Sequence, residues 1–381
     1  MLNEQPLKIN WRIINALRGF AALGVVVNHA RGLLFSDDVL YATHVHAKQS
    51  WQIWEWVLML ATQLATLGSE FVILFFVLSG FSIAHSLSAN VDTAGFYKRR
   101  LVRLYPTYLI GLLWALVVFG LIRFFCPDVF FNSVDGNPPL QEYYYRFISL
   151  KNILLSAVYI HEENYLTHQY WSLPLEVLFY LAAPFIIRKM KVWGIITLLI
   201  YTAFLLYDGI VYRDPDDSNV FLQLFADYGV YFLLGVLFYK YRDMLVKSFP
   251  TGKAAWIVFA FIFFLLLILV KGYVFHEKTN KVTGTMTAIF AYWLLFGAMR
   301  HNFVVGWLNS IGHYSYTLYV THIATIFCIK ILTYHLGMGF YLIDNLFMWY
   351  TGILLSLAVA YGLYFLAERP SIKLLEKMRN K

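Results

Sequence analysis

Charge is what this sequence has least of. Of its 381 residues only 14% are Asp, Glu, Lys or Arg, against about 25% in a soluble globular protein. A chain so poor in charge cannot clothe a water-facing surface. With 60% hydrophobic residues it predicts a polytopic membrane protein, not the roughly two to three soluble domains that length alone suggests. Cysteine is nearly absent, with only Cys126 and Cys328, which excludes a disulfide scaffold. Both lie near expected helix ends, so a disulfide and two free thiols are both open. Ten prolines and 23 glycines are too few for a collagen-like or low-complexity chain. No secretory leader is expected, because the first apolar stretch follows a polar start and contains Arg18. No repeat with a period of about 20–50 residues is visible.

What the chain has in abundance is long apolar runs. A helix needs about 20 apolar residues to cross the hydrocarbon. The expected fold class is all-α, a bundle of about ten spans near 12–34, 60–87, 104–125, 168–187, 192–208, 221–239, 254–270, 282–299, 307–332 and 343–366. A short element near 147–160 reads as interfacial or re-entrant. Basic residues concentrate in alternate connections, at Lys98–Arg103, Arg188–Lys191 and Lys240–Lys253, and at Arg369–Lys381. Acids gather in the others, as in Asp37-Asp38 and Asp214-Pro215-Asp216-Asp217. The positive-inside rule then places both termini in the cytoplasm. Residues 1–370 form one transmembrane domain with an outer loop at about 126–167, and 371–381 a short basic tail suited to anionic lipids. The net charge of +8 reports topology, and no nucleic-acid partner is expected.

An ionisable side chain inside a span costs about 2.5–3.5 kcal/mol on insertion scales, so each is a site candidate. Arg18 and His29 are eleven residues apart. At 100° per residue they share one helix face, separated by roughly 16 Å. That face offers a cation at its inner end and a titratable base in its outer half, although Arg18 can also snorkel inward. Glu176, about eight residues into the fourth span, lies at a depth similar to that of His29. A buried carboxylate needs a partner, so Glu176 is expected to accept the N–H of His29 and orient it as a base. A packing role for Glu176 is the alternative. Glu70 is a further acid within a span.

Ser79-Gly80 closes the second span. It lacks the Gly-x-Ser-x-Gly elbow of a nucleophile, and its small residues suit close helix packing. Arg100 and Arg103 share a face at i, i+3. Their guanidinium forks suit phosphate oxygens, while inner-surface anchoring accounts for the charge equally well. Tyr316, Tyr319 and His322 form a stripe at three-residue steps, and such a stripe is more often packing than site. His44-Val45-His46 and His161-Glu162-Glu163 with His168 lack zinc-motif spacing, so no metal is expected. Thr251-Gly252-Lys253 lacks the upstream glycine of a phosphate loop.

Taken together, these blocks resemble acyltransferase family 3, integral-membrane acyltransferases of bacterial surface and exported glycans. Arg18 and His29 are similar to its signature, and Ser79-Gly80-Phe81 to its second block. Arg100-x-x-Arg103 with Tyr105-Pro106 is similar to the third. Trp171-Ser172-Leu173 with Glu176, Phe179 and Tyr180 is similar to the fourth. Ser315-Tyr316-x-Leu318-Tyr319-x-x-His322 and Glu368-x-Pro370 are similar to the last. The resemblance implies an acyl-CoA donor, usually acetyl-CoA, bound as co-substrate with no resident cofactor. It implies His29 as the catalytic histidine, and Arg18, Arg100 and Arg103 as donor-binding or pore-forming residues. With Glu176 joining His29 as catalytic and Ser79 joining the donor site, Glu70, Trp171, Tyr316, Tyr319 and His322 are left to line the substrate path.

The expected activity is O-acetylation or related acyl transfer from acyl-CoA to a hydroxyl of a polysaccharide or its lipid-linked precursor. It would take place in the bacterial cytoplasmic (inner) membrane, with membrane lipids, the donor and the glycan as partners. An oligomer is compatible with the sequence. Two rivals belong to other classes. A lipid-linked-sugar glycosyltransferase or polymerase would use the outer acids Asp37-Asp38 or Asp214-Pro215-Asp216. A glycan transporter or flippase would line its route with Arg18, His29, Glu70 and Glu176.

Overall fold

The structure is a computed structural model. It describes residues 9–35, 52, 53, 56, 62, 63, 65–88, 92–160, 164–210, 223–249, 252–274, 280–341, 343 and 345–379. Asp37-Asp38, His44, His46, His161–Glu163, Thr251 and Asp214–Asp217 lie outside them. The described chain is helical, with no strand among the described residues. Nine of the described helices are long and apolar enough to cross a membrane. They are α1 (Trp11–Leu34), α2 (Gly68–Ser88), α3 (Thr93–Phe125), α7 (Ser172–Arg188) with the 3-10 turn before it, α8 (Met190–Ile210), α11 (Lys253–Val274), α12 (Asn280–Arg300), α14 (Ser315–His335) and α15 (Leu346–Tyr364). The protein is a multi-pass membrane protein. Large apolar side chains on α8 and α11 face outward, as lipid contact requires: Leu199, Leu206, Phe261 and Leu269 are each more than half exposed.

Several boundaries differ from those expected. The third helix begins eleven residues before its apolar run, because Thr93–Arg103 is a helical extension of α3. The expected sixth span is divided into a π-helical turn, Gln223–Tyr228, and a twelve-residue helix, α9 (Gly229–Lys240). A Cβ on Gly229 would collide with the carbonyl oxygen of Leu224, five residues back; the wide π turn closes there because glycine has no Cβ. The connection between α3 and α7 carries structure of its own in α4 (Pro127–Phe131), α5 (Leu140–Phe147), α6 (Leu150–Ser156) and the 3-10 helix Tyr165–Trp171. The element expected near 147–160 is α6, only seven residues long. Further short helices are α10 (Arg242–Lys247), α13 (Gly306–His313) and α16 (Glu368–Arg379). Cys126 and Cys328 are free thiols in one apolar cluster with Phe119, Phe130 and Phe327.

The chain resolves into two compact units. The first comprises Met1–Ala21, Ser69–Lys98 and Leu175–His313, and the second Ala22–Gly68, Arg99–Pro174 and Tyr314–Lys381. In the first unit, α2 and α9 pack backbone to backbone. A Cβ on Gly80 would collide with the Phe232 carbonyl and one on Gly235 with the Val77 carbonyl, so the small residue of the Ser79-Gly80 block serves close packing, as expected. Glu70 in the first turn of α2 accepts hydrogen bonds from Lys271 Nζ (2.9 Å) and Thr283 Oγ1 (2.7 Å). Asp227 in the π turn pairs with Lys281 at 3.4 Å. Both acids are thereby neutralised inside the apolar layer, where an uncompensated charge would cost several kcal/mol.

The second unit is centred on α14, whose side chains are buried almost throughout. Its N-terminus is capped from another helix. The Glu368 carboxylate, 1% exposed, accepts the backbone N–H of Thr317 (3.0 Å) and its hydroxyl (2.7 Å). A carboxylate there satisfies an orphan helix donor and meets the positive end of the helix dipole. The Glu368-x-Pro370 block is thus a register pin for α14. Glu368→Ala should lower stability by about 1.5–3 kcal/mol, the range for hydrogen bonds to a charged group. Thermal unfolding in detergent measures it, with Glu368→Gln falling between the two. Toward the other end of α14, buried Lys330 donates to the carbonyls of Phe340 (2.9 Å) and Tyr341 (3.4 Å) and so fastens the connection to α15.

Candidate functional site

In the second unit the polar side chains converge on α14. His29, half-buried on α1, has its Nδ1 2.9 Å from Nε2 of His322. The two rings lie nearly parallel, with centroids 5.1 Å apart. His322 is fully buried, and its Nδ1 lies 3.1 Å from the Leu318 carbonyl oxygen. The exposed ring of His168 stands edge-on to His29 at 6.4 Å. His168 is carried by the 3-10 helix Tyr165–Trp171, which is stapled to α14. Tyr170 OH donates to the Val320 carbonyl at 2.7 Å, and Gln169 Nε2 reaches the same oxygen at 3.3 Å. Tyr319 OH donates to the Gln169 carbonyl at 2.7 Å and lies 2.6 Å from Ser172 Oγ. Trp171 ends this helix, half-buried.

The residues that bring this about are local. A glycine at 111 gives Tyr170 and Val320 room, since a Cβ there would press on both. The non-helical φ of Thr167 (−132°) lets the 3-10 turn bend before α7 begins. The stripe of three-residue steps is buried as a row, with Tyr316 at 7%, Tyr319 at 6% and His322 at 0% exposure. Two of its members make polar contacts to the histidine cluster or to the turn that carries His168. The stripe is thus packed and at the same time hydrogen-bonded.

In the first unit, Ser79 and Glu176 meet directly. Ser79 Oγ donates to Glu176 Oε1 at 2.7 Å and lies 2.9 Å from Tyr180 OH. Tyr180 OH also donates to Glu176 Oε1. Glu176 and Tyr180 are one helical turn apart on α7, the i, i+4 spacing that places both on one face. Arg18 sits half-buried in this unit on α1. Arg100 and Arg103 are half-buried in the second unit on α3, just before Pro106. Pro106 cannot donate to the Val102 carbonyl, which loosens the helix one residue from Arg103.

The sequence singled out His29, Glu176, Ser79 and the stripe Tyr316, Tyr319 and His322 as candidates. It did not find the direct His29–His322 or Ser79–Glu176 hydrogen bonds, nor His168 as a neighbour of His29. Each joins helices distant in sequence, and no periodicity encodes such a pairing. Among the described residues no group of three or more His, Cys, Asp or Glu is arranged to hold a metal ion.

The second unit thus holds an imidazole pair inside its spans, and the first a hydroxyl-carboxylate cluster. Residues 11–365 match the family model for the acyltransferase domain of acyltransferase family 3. The chain belongs to this family. It is similar to acyltransferase MdmB of Streptomyces mycarofaciens, at 29% identity over 196 residues, 49% of this chain and 42% of that protein. It is also similar to nodulation protein 10 of Rhizobium leguminosarum bv. viciae, at 26% identity over 258 residues, 63% of this chain and 62% of that protein. An uncharacterized protein of Haemophilus influenzae is 26% identical over 191 residues, 46% of this chain and 71% of that protein. The chain thus spans less than two thirds of the first two relatives. No solved structure matches.

Proposed function

We propose that this protein is a membrane O-acyltransferase. It moves an acyl group, most simply acetyl, from acyl-CoA to a hydroxyl of a surface or exported polysaccharide or its lipid-linked precursor, in the bacterial inner membrane. The observation that carries the proposal is His29. It is a titratable ring inside a membrane span, anchored among the described residues through one nitrogen, in a chain whose family is acyltransferase. Its other nitrogen, Nε2, serves as general base.

In the proposed reaction the acceptor hydroxyl gives its proton to His29 Nε2 as its oxygen attacks the thioester carbonyl. The carbon–sulfur bond then breaks. The CoA sulfur leaves as thiolate and takes the proton back from His29, so the enzyme returns to its starting state. General acid–base catalysis of this kind contributes about 10²–10⁴-fold. Arg18, Arg100 and Arg103 receive the CoA phosphates, a task for which the guanidinium fork is suited. Ser79 and Glu176, with Tyr180, form a hydroxyl-carboxylate cluster on the donor's path. In the second unit, Trp171, Tyr316 and Tyr319 line the route of the substrates.

Two measurements test this reading. Mass spectrometry of cell-surface and secreted glycans from cells with and without the protein should differ by one acyl mass on the acceptor sugar. Identical spectra under conditions of expression would refute the activity. With the purified protein, Arg100→Ala and Arg103→Ala should each weaken CoA binding about 10-fold, the scale of one charge-assisted contact of about 1.4 kcal/mol. Unchanged CoA affinity in both variants would return these arginines to membrane anchoring alone.

A further inference from the structure

We propose that His322 is a positioning residue that fixes the tautomer and orientation of His29. The inference rests on His29 acting as the base, and it goes beyond that reading by assigning the group that makes its Nε2 basic. The argument follows the protons. The Leu318 carbonyl oxygen can only accept, so the N–H of His322 that faces it is on Nδ1. A neutral imidazole carries one proton, so Nε2 of His322 bears a lone pair and is an acceptor. The atom 2.9 Å away is Nδ1 of His29, which must then be the donor. With its own single proton on Nδ1, His29 is left with an unprotonated Nε2, the nitrogen the proposed reaction uses. The chain of donors thus runs from His29 through His322 to the backbone of α14.

The surroundings suit this role. His322 is fully buried, which removes water as a competing partner and holds the ring in one orientation. The residues around it place no carboxylate in hydrogen-bond contact with its ring among the described residues. The polar neighbour is Tyr319, whose ring lies 5.9 Å away and whose hydroxyl is engaged with Gln169 and Ser172. The titratable group beside His29 is His168, edge-on at 6.4 Å. A backbone carbonyl orienting one imidazole, which orients another, serves the purpose that an orienting carboxylate serves beside other catalytic histidines.

Two substitutions and one spectrum decide the matter in the full-length protein. His322→Gln places an amide oxygen near the position of Nε2 and can still accept the His29 N–H. His322→Leu cannot. In a reconstituted assay with acetyl-CoA, His322→Leu should lower kcat by about 10- to 100-fold, the scale of misplacing a reacting group by about 1 Å. The KM for the donor and the affinity for CoA should stay unchanged, and His322→Gln should recover most of the rate. A wild-type kcat in His322→Leu, or equal losses in both variants, would overturn the inference while leaving acyl transfer standing. Nitrogen-15 histidine spectra in nanodiscs read the relay without any turnover. His29, identified by the signal lost in His29→Asn, should carry its proton on Nδ1 in the wild type and in His322→Gln. In His322→Leu it should revert toward the Nε2–H form common in water. A wild-type His29 protonated on Nε2 refutes the relay whatever the activity of the protein, whereas acyl transfer that is absent from the wild type refutes the proposed function alone.

Discussion

Replacing His29 by alanine should reduce acyl transfer by about 10²–10⁴-fold, the contribution of one general acid–base group, with the protein still inserted in the membrane. The comparison that gives this result its meaning is His29→Asn. Alanine removes two things at once, the base and the donor to His322. It leaves the buried Nε2 of His322 unpaired, which costs about 1–3 kcal/mol of stability. Asparagine keeps an N–H close to the position of Nδ1, so the 2.9 Å contact to His322 survives, yet it offers no basic nitrogen at Nε2. The two variants should therefore share the catalytic loss and differ in thermal stability, with His29→Asn close to wild type. Initial rates with purified protein at saturating donor, together with unfolding curves in the same detergent, check both. Wild-type turnover in either variant would remove His29 from the chemistry.

Much of this architecture is legible before any coordinates. Runs of about 20 apolar residues place most of the spans, because the hydrocarbon thickness leaves little freedom in helix length. The common face of Arg18 and His29 follows from helix geometry alone, since both belong to the continuous helix Trp11–Leu34. What sequence leaves out is the partner of each polar group. Glu70 stands out as expensive, but nothing in its neighbourhood names Lys271 and Thr283, some two hundred residues later. Likewise nothing near Glu176 in the sequence names Ser79 and Tyr180, which donate to its Oε1, and nothing near His29 names His322. Depth along the membrane normal and the face of a single helix, which sequence supplies, cannot tell neighbours on different helices apart. The split of the sixth apolar run fails for another reason. A π turn depends on one missing Cβ, at Gly229, and hydropathy does not register a single glycine.

Gly80 and Ser79 are adjacent, and their substitutions should have opposite consequences. Gly80→Leu should leave little folded protein. Helices α2 and α9 meet with Gly80 against the Phe232 carbonyl and Gly235 against that of Val77, and a rigid backbone cannot yield as a flexible side chain does. Overpacking by extra methylenes costs about 1–3 kcal/mol where side chains can move; here the contact is backbone on both sides, and membrane helices have few other forces to hold them. Gly80→Ala should already lower the unfolding temperature by several degrees, and Gly235→Ala should match it because both act on one contact. Their double variant should cost less than the sum, since one separation of the helices relieves both collisions. Ser79→Ala should behave differently. It removes one of two donors to Glu176 Oε1, so the fold should hold to within about 0.5–1.5 kcal/mol while transfer falls if the cluster acts on the donor. Unfolding temperature and rate, measured on the same preparations, separate the two. A Gly80→Leu variant that folds as wild type would mean that α2 and α9 do not touch as described, and a Ser79→Ala variant with wild-type rate would place the hydroxyl outside the chemistry.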